Sequence, residues 1–209
     1  MQTIKIKNGA YLLNGYSIVG PLEGKGPLKN YFDYVLKDDT LKEKTFEKSE
    51  RKLLQEIVTG AIDKAGLNIG EIDFFLGGDL LNQIVSSSYT ARELGLPFIG
   101  LYSACATMAE SIALGAIMVD NKLANNIVAG TCTHFSSAER QYRFPLELGN
   151  QRPPTAQWTI TGGGASIISN KPSRIKISAV TFGKVLDFGI ADVNNMGAAM
   201  APVIAIIGP

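Results

Sequence analysis

Apolar strand-like runs alternate with helical patterns along the middle of this chain, and this alternation restricts its fold more than any other feature. Residues 86–94 and 105–123 are predicted to be helices, and they separate short apolar runs at residues 72–76, 97–101 and 126–131. Strands that alternate with helices are typical of parallel βαβ units. Right-handed crossovers place such helices on both faces of one sheet. The sequence therefore predicts an α/β fold built on a sheet that is mainly parallel.

Further elements are predicted on either side of this region. The chain reads as extended up to about residue 20, and residues 46–67 carry apolar side chains at helical spacing. Residues 174–182 alternate between apolar and polar side chains, which predicts a final strand. Residues 157–161 and 165–169 are predicted to be two strands, which a tight hairpin at Gly162-Gly163-Gly164 would join.

Cys105 is predicted to stand between a strand and a helix, at the carboxyl end of the strand. The positive end of a helix favours the thiolate, so this position can activate a thiol. The alternative is a small buried side chain, which is what most free cysteines are. Glu110 is the only charged residue between residues 106 and 119, so the helix is expected to be buried, between two layers of structure.

Composition excludes several classes of function. The net charge of +1 argues against a general binder of nucleic acid or anionic membranes. Two cysteines are too few for a disulfide scaffold and the N-terminus does not resemble a signal peptide, so a reducing, cytosolic setting is expected. No run of residues reads as a transmembrane helix.

His134 is the only histidine, and it follows the strand predicted at residues 126–131. It would then lie at the same end of the sheet as Cys105, where the two side chains could form a Cys–His pair. A surface histidine without a task is an equal alternative. Cys105, Cys132 and His134 offer too few ligands, at the wrong spacing, for zinc, so no metal site is expected.

Polar residues after two of the predicted strands admit two interpretations each. Glu139 and Arg143 are four residues apart and could pair along a helix, which is the simpler interpretation. Arg140 or Arg143 could instead bind a carboxylate ligand through the guanidinium fork. Asp79 and Asn82 could cap the following helix, which is favoured, or line a site.

Together these features resemble the N-terminal half of the thiolase and ketoacyl synthase superfamily, in which a cysteine at the position of Cys105 accepts the acyl group. Longer phrases resemble the stage V sporulation protein AD family: GKGPL at 24–28, GDLLNQ at 78–83, AERQYRFP at 138–145, DFGIAD at 187–192 and MGAAMAP at 196–202. The resemblance implies a thiolase-like, mixed but mainly parallel five-stranded sheet with a buried central helix and flanking helices. It divides the chain into an N-terminal half at 1–185 and the beginning of a second half at 186–209.

The resemblance also implies a function. Members of this family are expected to bind dipicolinate (pyridine-2,6-dicarboxylate) or its calcium chelate, for uptake into or release from spores. The residues expected to bind it are Cys105, His134, Arg140, Arg143 and Asn82, with no cofactor. The alternative is acyl transfer with Cys105 as nucleophile and a coenzyme A thioester as substrate. Relatives carry the proton-transfer groups for that reaction in a second half that this chain lacks, so turnover is not expected.

The partners implied by the resemblance are a second copy of the chain and other stage V sporulation membrane proteins, without nucleic acid. The location implied is the cytoplasmic face of the spore inner membrane, with peripheral attachment.

Overall fold

The computed structural model describes residues 2–80, 84–142, 159–184, 187–192 and 197–198, with the side chains of residues 139–142 not described. The strands are β1 Gln2–Val19, β2 Tyr34–Val35, β3 Phe74–Asp79, β4 Phe98–Gly100, β5 Asn126–Thr133, β6 Gly162–Ser169 and β7 Ile175–Phe182. The helices are α1 Phe46–Lys64, α2 Val85–Leu94, α3 Thr107–Asp120 and α4 Phe135–Tyr142. The segment 186–209, expected to begin a second half, lies largely outside the described residues.

The strands form one mixed sheet in the order β2-β1-β6-β5-β3-β4, and β7 pairs with β1. The predicted βαβ region is confirmed, since β3 pairs in parallel with both β4 and β5. The expected count of five strands is wrong: the described residues form seven. The sheet is also less parallel than expected, because β6 pairs antiparallel with β1 and β5, as β7 does with β1. A two-residue strand such as β2 carries no periodic signal, which is why the sequence did not reveal it.

Helices cover both faces of the sheet, as the alternation predicts. Side chains of α1 and α2 pack on one face with Phe75, Val128 and Ile167, whereas α3 packs on the other with Ile127 and Ile168. Consecutive strand residues point to opposite faces, so neighbours such as Val128 and Ile127 belong to different halves of the core. We call these the α1 face and the α3 face.

The N-terminus of α1 has a side-chain cap, which gives an acceptor to one of the N–H groups that have none within the helix. The hydroxyl of Thr45 accepts a hydrogen bond from the backbone of Lys48 at 3.3 Å. The buried stripe of the helix carries six apolar residues at spacings of three and four, and it faces the sheet: Leu53, Leu54, Ile57, Val58, Ala61 and Ile62.

The apolar helix α3 is buried on the side that faces the sheet. Thr107, Ser111, Gly115 and Val119 lie on that side at intervals of four residues and are buried. Burial between two layers was expected, but in the described part of the chain the opposite side of α3 is only partly covered. Ala109 is exposed there.

The three glycines at 162–164 do not form a hairpin, contrary to expectation. They begin a single strand, β6, which runs to Ser169, while residues 159 and 160 are not in a strand and residues 157 and 158 lie outside the described residues. A Cβ on Gly163 would stand 2.4 Å from the carbonyl oxygen of Thr131 and 2.7 Å from the Cβ of Cys132. Glycine is therefore required because the neighbouring strand β5 approaches closely.

The neighbouring glycines of β6 allow a matched test of this close approach. Gly163→Ala should lower the free energy of unfolding by about 2 kcal/mol or more, because the strands must move apart. Gly164→Ala should change it by less than about 0.5 kcal/mol, since the nearest atom, the carbonyl oxygen of Tyr16, lies at an ordinary 3.6 Å from the new Cβ. Urea denaturation measures both. Equal effects of the two substitutions would contradict the assignment.

Candidate functional site

The carboxyl ends of β3, β4 and β5 meet at one edge of the sheet, where α/β folds place their ligands. Asp79, the last residue of β3, lies opposite Cys132 of β5, and the backbone N–H of Leu80 donates to the carbonyl of Cys132 at 3.2 Å. From this edge β3 leads to α2, β4 leads to the turn that contains Cys105, and β5 leads to α4. We call it the carboxyl edge.

Cys105 lies in a sharp turn at the carboxyl edge. One turn of 3₁₀ helix, Ala104–Ala106, precedes α3, and the thiol of Cys105 is exposed. Ala104 has a φ of 45°, a left-handed conformation that costs a residue other than glycine about 1–2 kcal/mol. Strain of this kind is concentrated at functional sites.

The helix that follows Cys105 begins without a side-chain cap. Ala106 occupies the N-cap position of α3 and makes no side-chain hydrogen bond in the described part of the chain. The first backbone N–H groups of a helix point away from it and carry partial positive charge. The N–H groups of Ala106 and Thr107 already donate to the carbonyls of Ser103 and Ala104 in the 3₁₀ turn. The exposed thiol therefore stands at the positive end of a helix, which suits an anion.

His134 is not the partner of Cys105, and it is not on the surface either. Its ring is fully buried on the α1 face, stacked between Phe46 and Phe135 at centroid distances of 4.8 and 5.0 Å. Nε2 donates to the carbonyl of Asp39 at 2.9 Å, and Nδ1 accepts from the backbone N–H of Ser136 at 3.2 Å. Burial lowers the pKa of His134, which keeps the ring neutral. Both ring nitrogens are thus occupied by backbone groups.

The remaining predicted ligand residues are only partly placed. Arg140 belongs to α4, which follows β5 at the carboxyl edge, but its side chain is not described. Arg143 and Asn82 lie outside the described residues, so the pairing of Arg143 with Glu139 and the role of Asn82 stay predictions.

Asp79 caps the next helix, as favoured from the sequence. Its carboxylate accepts hydrogen bonds from the backbone N–H groups of Ser86 at 3.0 Å and Ser87 at 2.7 Å, in the first turn of α2. Asp79 is fully buried, and burial raises its pKa although these hydrogen bonds oppose the change.

A second buried carboxyl group, Glu50 of α1, faces the same edge and was not identified from the sequence. Its Oε2 accepts from the backbone N–H of His134 at 3.2 Å and from the hydroxyl of Ser137. Its Oε1 is buried without a hydrogen-bond partner among the described residues. A signal was available, because Glu50 lies three residues before Leu53 and four before Leu54 and so occupies the apolar stripe of α1.

The surroundings of Glu50 raise the pKa of its carboxyl group. Burial, and to a lesser extent the nearby charge of Asp79, raise the pKa of Glu50 to about 7, although the hydrogen bond from Ser137 opposes both. Asp79 differs from Glu50 in its hydrogen bonds, because each of its two carboxylate oxygens accepts from a backbone N–H group at the start of α2. Buried Cys132 lies beside both, and burial raises the pKa of its thiol well above the ordinary value, so it is unreactive.

The free energy of unfolding should depend on pH through Glu50. Its pKa is about 7 when folded and 4.5 in the unfolded reference, so the folded chain binds an extra proton between these values. The stabilisation that Glu50 contributes is therefore complete below about pH 4.5 and is lost as the pH rises through 7. Above that pH the contribution of Glu50 no longer changes. At about 1.4 kcal/mol for each pH unit between the two values, 4.5 and about 7, the loss amounts to at most about 3.5 kcal/mol.

Chemical denaturation of Glu50→Gln and of the unchanged chain from pH 4.5 to 8.5 measures this loss. The difference between the two curves should fall across this range and level off near pH 7, because other groups, His134 included, contribute equally to both. Glu56→Gln, an exposed residue of the same helix, is the control and should follow the unchanged chain. A constant difference between Glu50→Gln and the unchanged chain would refute the assignment.

A cavity of about 320 Å³ lies elsewhere, between the loop after β1 and the start of α4. It is lined by Glu23, Asp38 and Asp39 against a single Lys25, so its charge does not suit a dianion. In the described part of the chain, no three His, Cys, Asp or Glu side chains lie together as ligands for a metal ion.

Comparison with known proteins gives a family and a fold. The family model for stage V sporulation protein AD matches residues 1–207. Stage V sporulation protein AD of Bacillus subtilis (strain 168) is 41% identical over 204 residues, which are 98% of this chain and 60% of the relative. The chain thus spans less than two thirds of the length of that relative.

Solved structures of other proteins have a similar fold. 3-Oxoacyl-[acyl-carrier-protein] synthase III from Aquifex aeolicus VF5 matches with a TM-score of 0.54 at 14% identity, over 79% of this chain and 55% of that one. A Xanthomonas campestris OleA variant with bound lauric acid and lauroyl-CoA matches with a TM-score of 0.51 at 12% identity, over 77% and 56%. At this identity the likeness shows a thiolase-like fold and nothing of the chemistry.

Proposed function

Because the chain belongs to the stage V sporulation protein AD family, we propose that it binds dipicolinate, or its calcium chelate, for uptake into or release from spores. The observation that supports this most is the exposed Cys105 beside the uncapped N-terminus of α3. Dipicolinate is a flat dianion, and backbone N–H groups at a helix N-terminus bind carboxylates. Cys105 then serves as a wall or weak donor of the pocket.

The second carboxylate of the ligand requires a further cation or donor. Arg140 on α4 and Arg143 after it are the candidates, since a guanidinium fork binds a carboxylate through two parallel hydrogen bonds. Asn82 follows β3 and is the third candidate. His134, also expected to bind the ligand, does not contact it in this proposal, because both of its ring nitrogens are bonded to backbone groups.

Acyl transfer through a Cys105 thioester is the alternative, and the exposed thiol favours it. Deprotonation of the thiol and protonation of the leaving group both need a proton-transfer group. His134 is the only histidine of the chain and is occupied on the opposite face of the sheet. We therefore favour binding without turnover. A mass increase of one acyl group on Cys105 after incubation with acyl-coenzyme A would favour the alternative.

Isothermal titration calorimetry with dipicolinate tests the binding proposal. The unchanged chain should give a saturable signal, and Cys105→Ala and Arg140→Ala should weaken binding by roughly tenfold or more, as expected when a charged or wall contact is lost. Benzene-1,3-dicarboxylate, which has the two carboxylates without the ring nitrogen, is the matched ligand control and should bind more weakly. The absence of heat, or equal heat in all variants, would overturn the proposal.

We further propose that the chain acts at the cytoplasmic face of the spore inner membrane, with other stage V sporulation membrane proteins as partners. None of the helices in the described residues combines the length and the apolarity needed to cross a bilayer. Attachment in this proposal is peripheral and runs through those partners.

We propose a homodimer in which β4 of two copies continues the sheet. β4 is the last strand in the order, and exposed apolar side chains lie along or near it: Val85, Tyr89, Ile99 and Tyr102. An edge strand with free backbone groups and apolar neighbours is a ready surface for pairing. A two-fold axis at β4 would make the pairing antiparallel and closed.

Light scattering on Ile99→Asp tests the dimer. Ile99 is 36% exposed, so the charge should not unfold the monomer but should raise the dimer dissociation constant at least tenfold, because a charge would be buried without a partner. Ile175→Asp is the control, since Ile175 is 57% exposed on β7, away from the β4 edge. A dimer that survives Ile99→Asp, or one that Ile175→Asp disrupts instead, would exclude β4 as the interface.

A further inference from the structure

The first turn of helix α4 is hydrogen-bonded to α1. The backbone N–H of His134 and the hydroxyl of Ser137 both donate to Oε2 of Glu50. The same hydroxyl lies 3.0 Å from the carbonyl of His134, which also accepts from the backbone of Ala138. Glu50 therefore contacts two groups at the beginning of the helix that carries Arg140.

The same carboxyl group also contacts α2. Ser86, in the first turn of α2, hydrogen-bonds to Glu50, and the backbone of Ser86 donates to Asp79. One side chain of α1 thus joins the starts of the two helices that follow β3 and β5. Those helices begin at the carboxyl edge, and α4 carries Arg140.

The second oxygen of Glu50 makes the contact sensitive to a proton. Oε1 is buried and has no donor in the described part of the chain. A buried carboxylate oxygen without a donor is costly, and a proton on that oxygen removes the charge. Oε2 keeps its lone pairs in the neutral acid, so both contacts with α4 persist when Glu50 is protonated.

The groups that face Glu50 favour its neutral form. Asp79 approaches from β3, and its charge repels a second carboxylate. Cys132 approaches from β5 as a neutral thiol, and His134 presents its backbone rather than its neutral ring. From α2 and the described side chains of α4, only the hydroxyls of Ser86 and Ser137 face it. No cation balances the charge among these groups. A pKa of about 7 is in keeping with this environment.

We propose that Glu50 is a proton-dependent clamp that positions α4 at the carboxyl edge. The protonated group holds the first turn of α4 against α1 and α2. Loss of the proton places an uncompensated charge beside Asp79 and weakens the docking of α4. For Arg140 and the ligand, this consequence rests on the dipicolinate site proposed above, whereas the clamp itself does not.

Amide hydrogen exchange of the whole chain at a series of pH values tests the clamp without any ligand. Protection factors, corrected for the intrinsic pH dependence, should fall in residues 135–142 by up to about tenfold per pH unit below pH 7 and level off above it. Glu50→Gln imitates the neutral acid and should abolish this dependence. Glu56→Gln should leave it unchanged.

Ser137→Ala is a second variant, for the case in which Glu50→Gln does not fold. It should shift the pH dependence of protection rather than abolish it. Ser137→Ala removes the hydrogen bond that lowers the pKa of Glu50, so protection should level off at a higher pH than in the unchanged chain. Protection of α4 that has no pH dependence, or the same dependence in Glu50→Gln and Ser137→Ala as in the unchanged chain, would overturn the clamp.

Dipicolinate added to the same exchange experiment separates the two proposals. A bound ligand that bridges Arg140 should raise the protection of α4. If the pH profile follows Glu50 while dipicolinate changes nothing, the clamp stands and the binding proposal fails. If dipicolinate binds but the pH profile of protection is the same in Glu50→Gln as in the unchanged chain, the binding proposal stands and the clamp fails.

Discussion

The hydrogen bonds between Glu50 and the first turn of α4 join α1 to α4 at the carboxyl edge. A carboxyl group on the apolar stripe of α1 must be either neutral or fully hydrogen-bonded. Here it has two donors from the start of α4 and a neighbour in Asp79, which itself caps α2. The positions of both helices at the carboxyl edge therefore depend on the protonation of one buried pair of carboxyl groups.

Local patterns in the sequence predicted the part of the fold that local forces determine. The alternation between residues 70 and 132 predicted the parallel β3, β4 and β5, and the apolar spacing predicted α1, because both periods are set by backbone geometry. The same patterns predicted that Cys105 stands between a strand and a helix, and it does so in a sharp turn in which Ala104 has a φ of 45°.

Contacts between distant segments could not be predicted in this way. The need for glycine at 163 comes from the backbone of β5 about thirty residues earlier, so the glycines read as a hairpin. The partners of His134 lie in the loop before α1, in α1 and at the start of α4, and no spacing in the sequence indicates that they meet. Glu50 could have been found, since a charged residue on an apolar stripe contradicts the pattern around it.

Family and geometry answer different questions about function. The family match shows that the chain belongs to a sporulation protein family, and the solved structures show a thiolase-like fold. The geometry bears on chemistry: an exposed thiol at the positive end of a helix suits an anion, and a histidine occupied by backbone groups does not suit proton transfer. Both arguments favour a site that holds its ligand without converting it.

A crystal structure of the chain with bound dipicolinate tests this view most directly. The account predicts one carboxylate of the ligand beside Cys105, at the 3₁₀ turn that precedes α3, with an arginine from α4 or the residues after it on the other carboxylate. Dipicolinate bound in the acidic cavity near Glu23 and Asp38, with the carboxyl edge empty, would contradict the account.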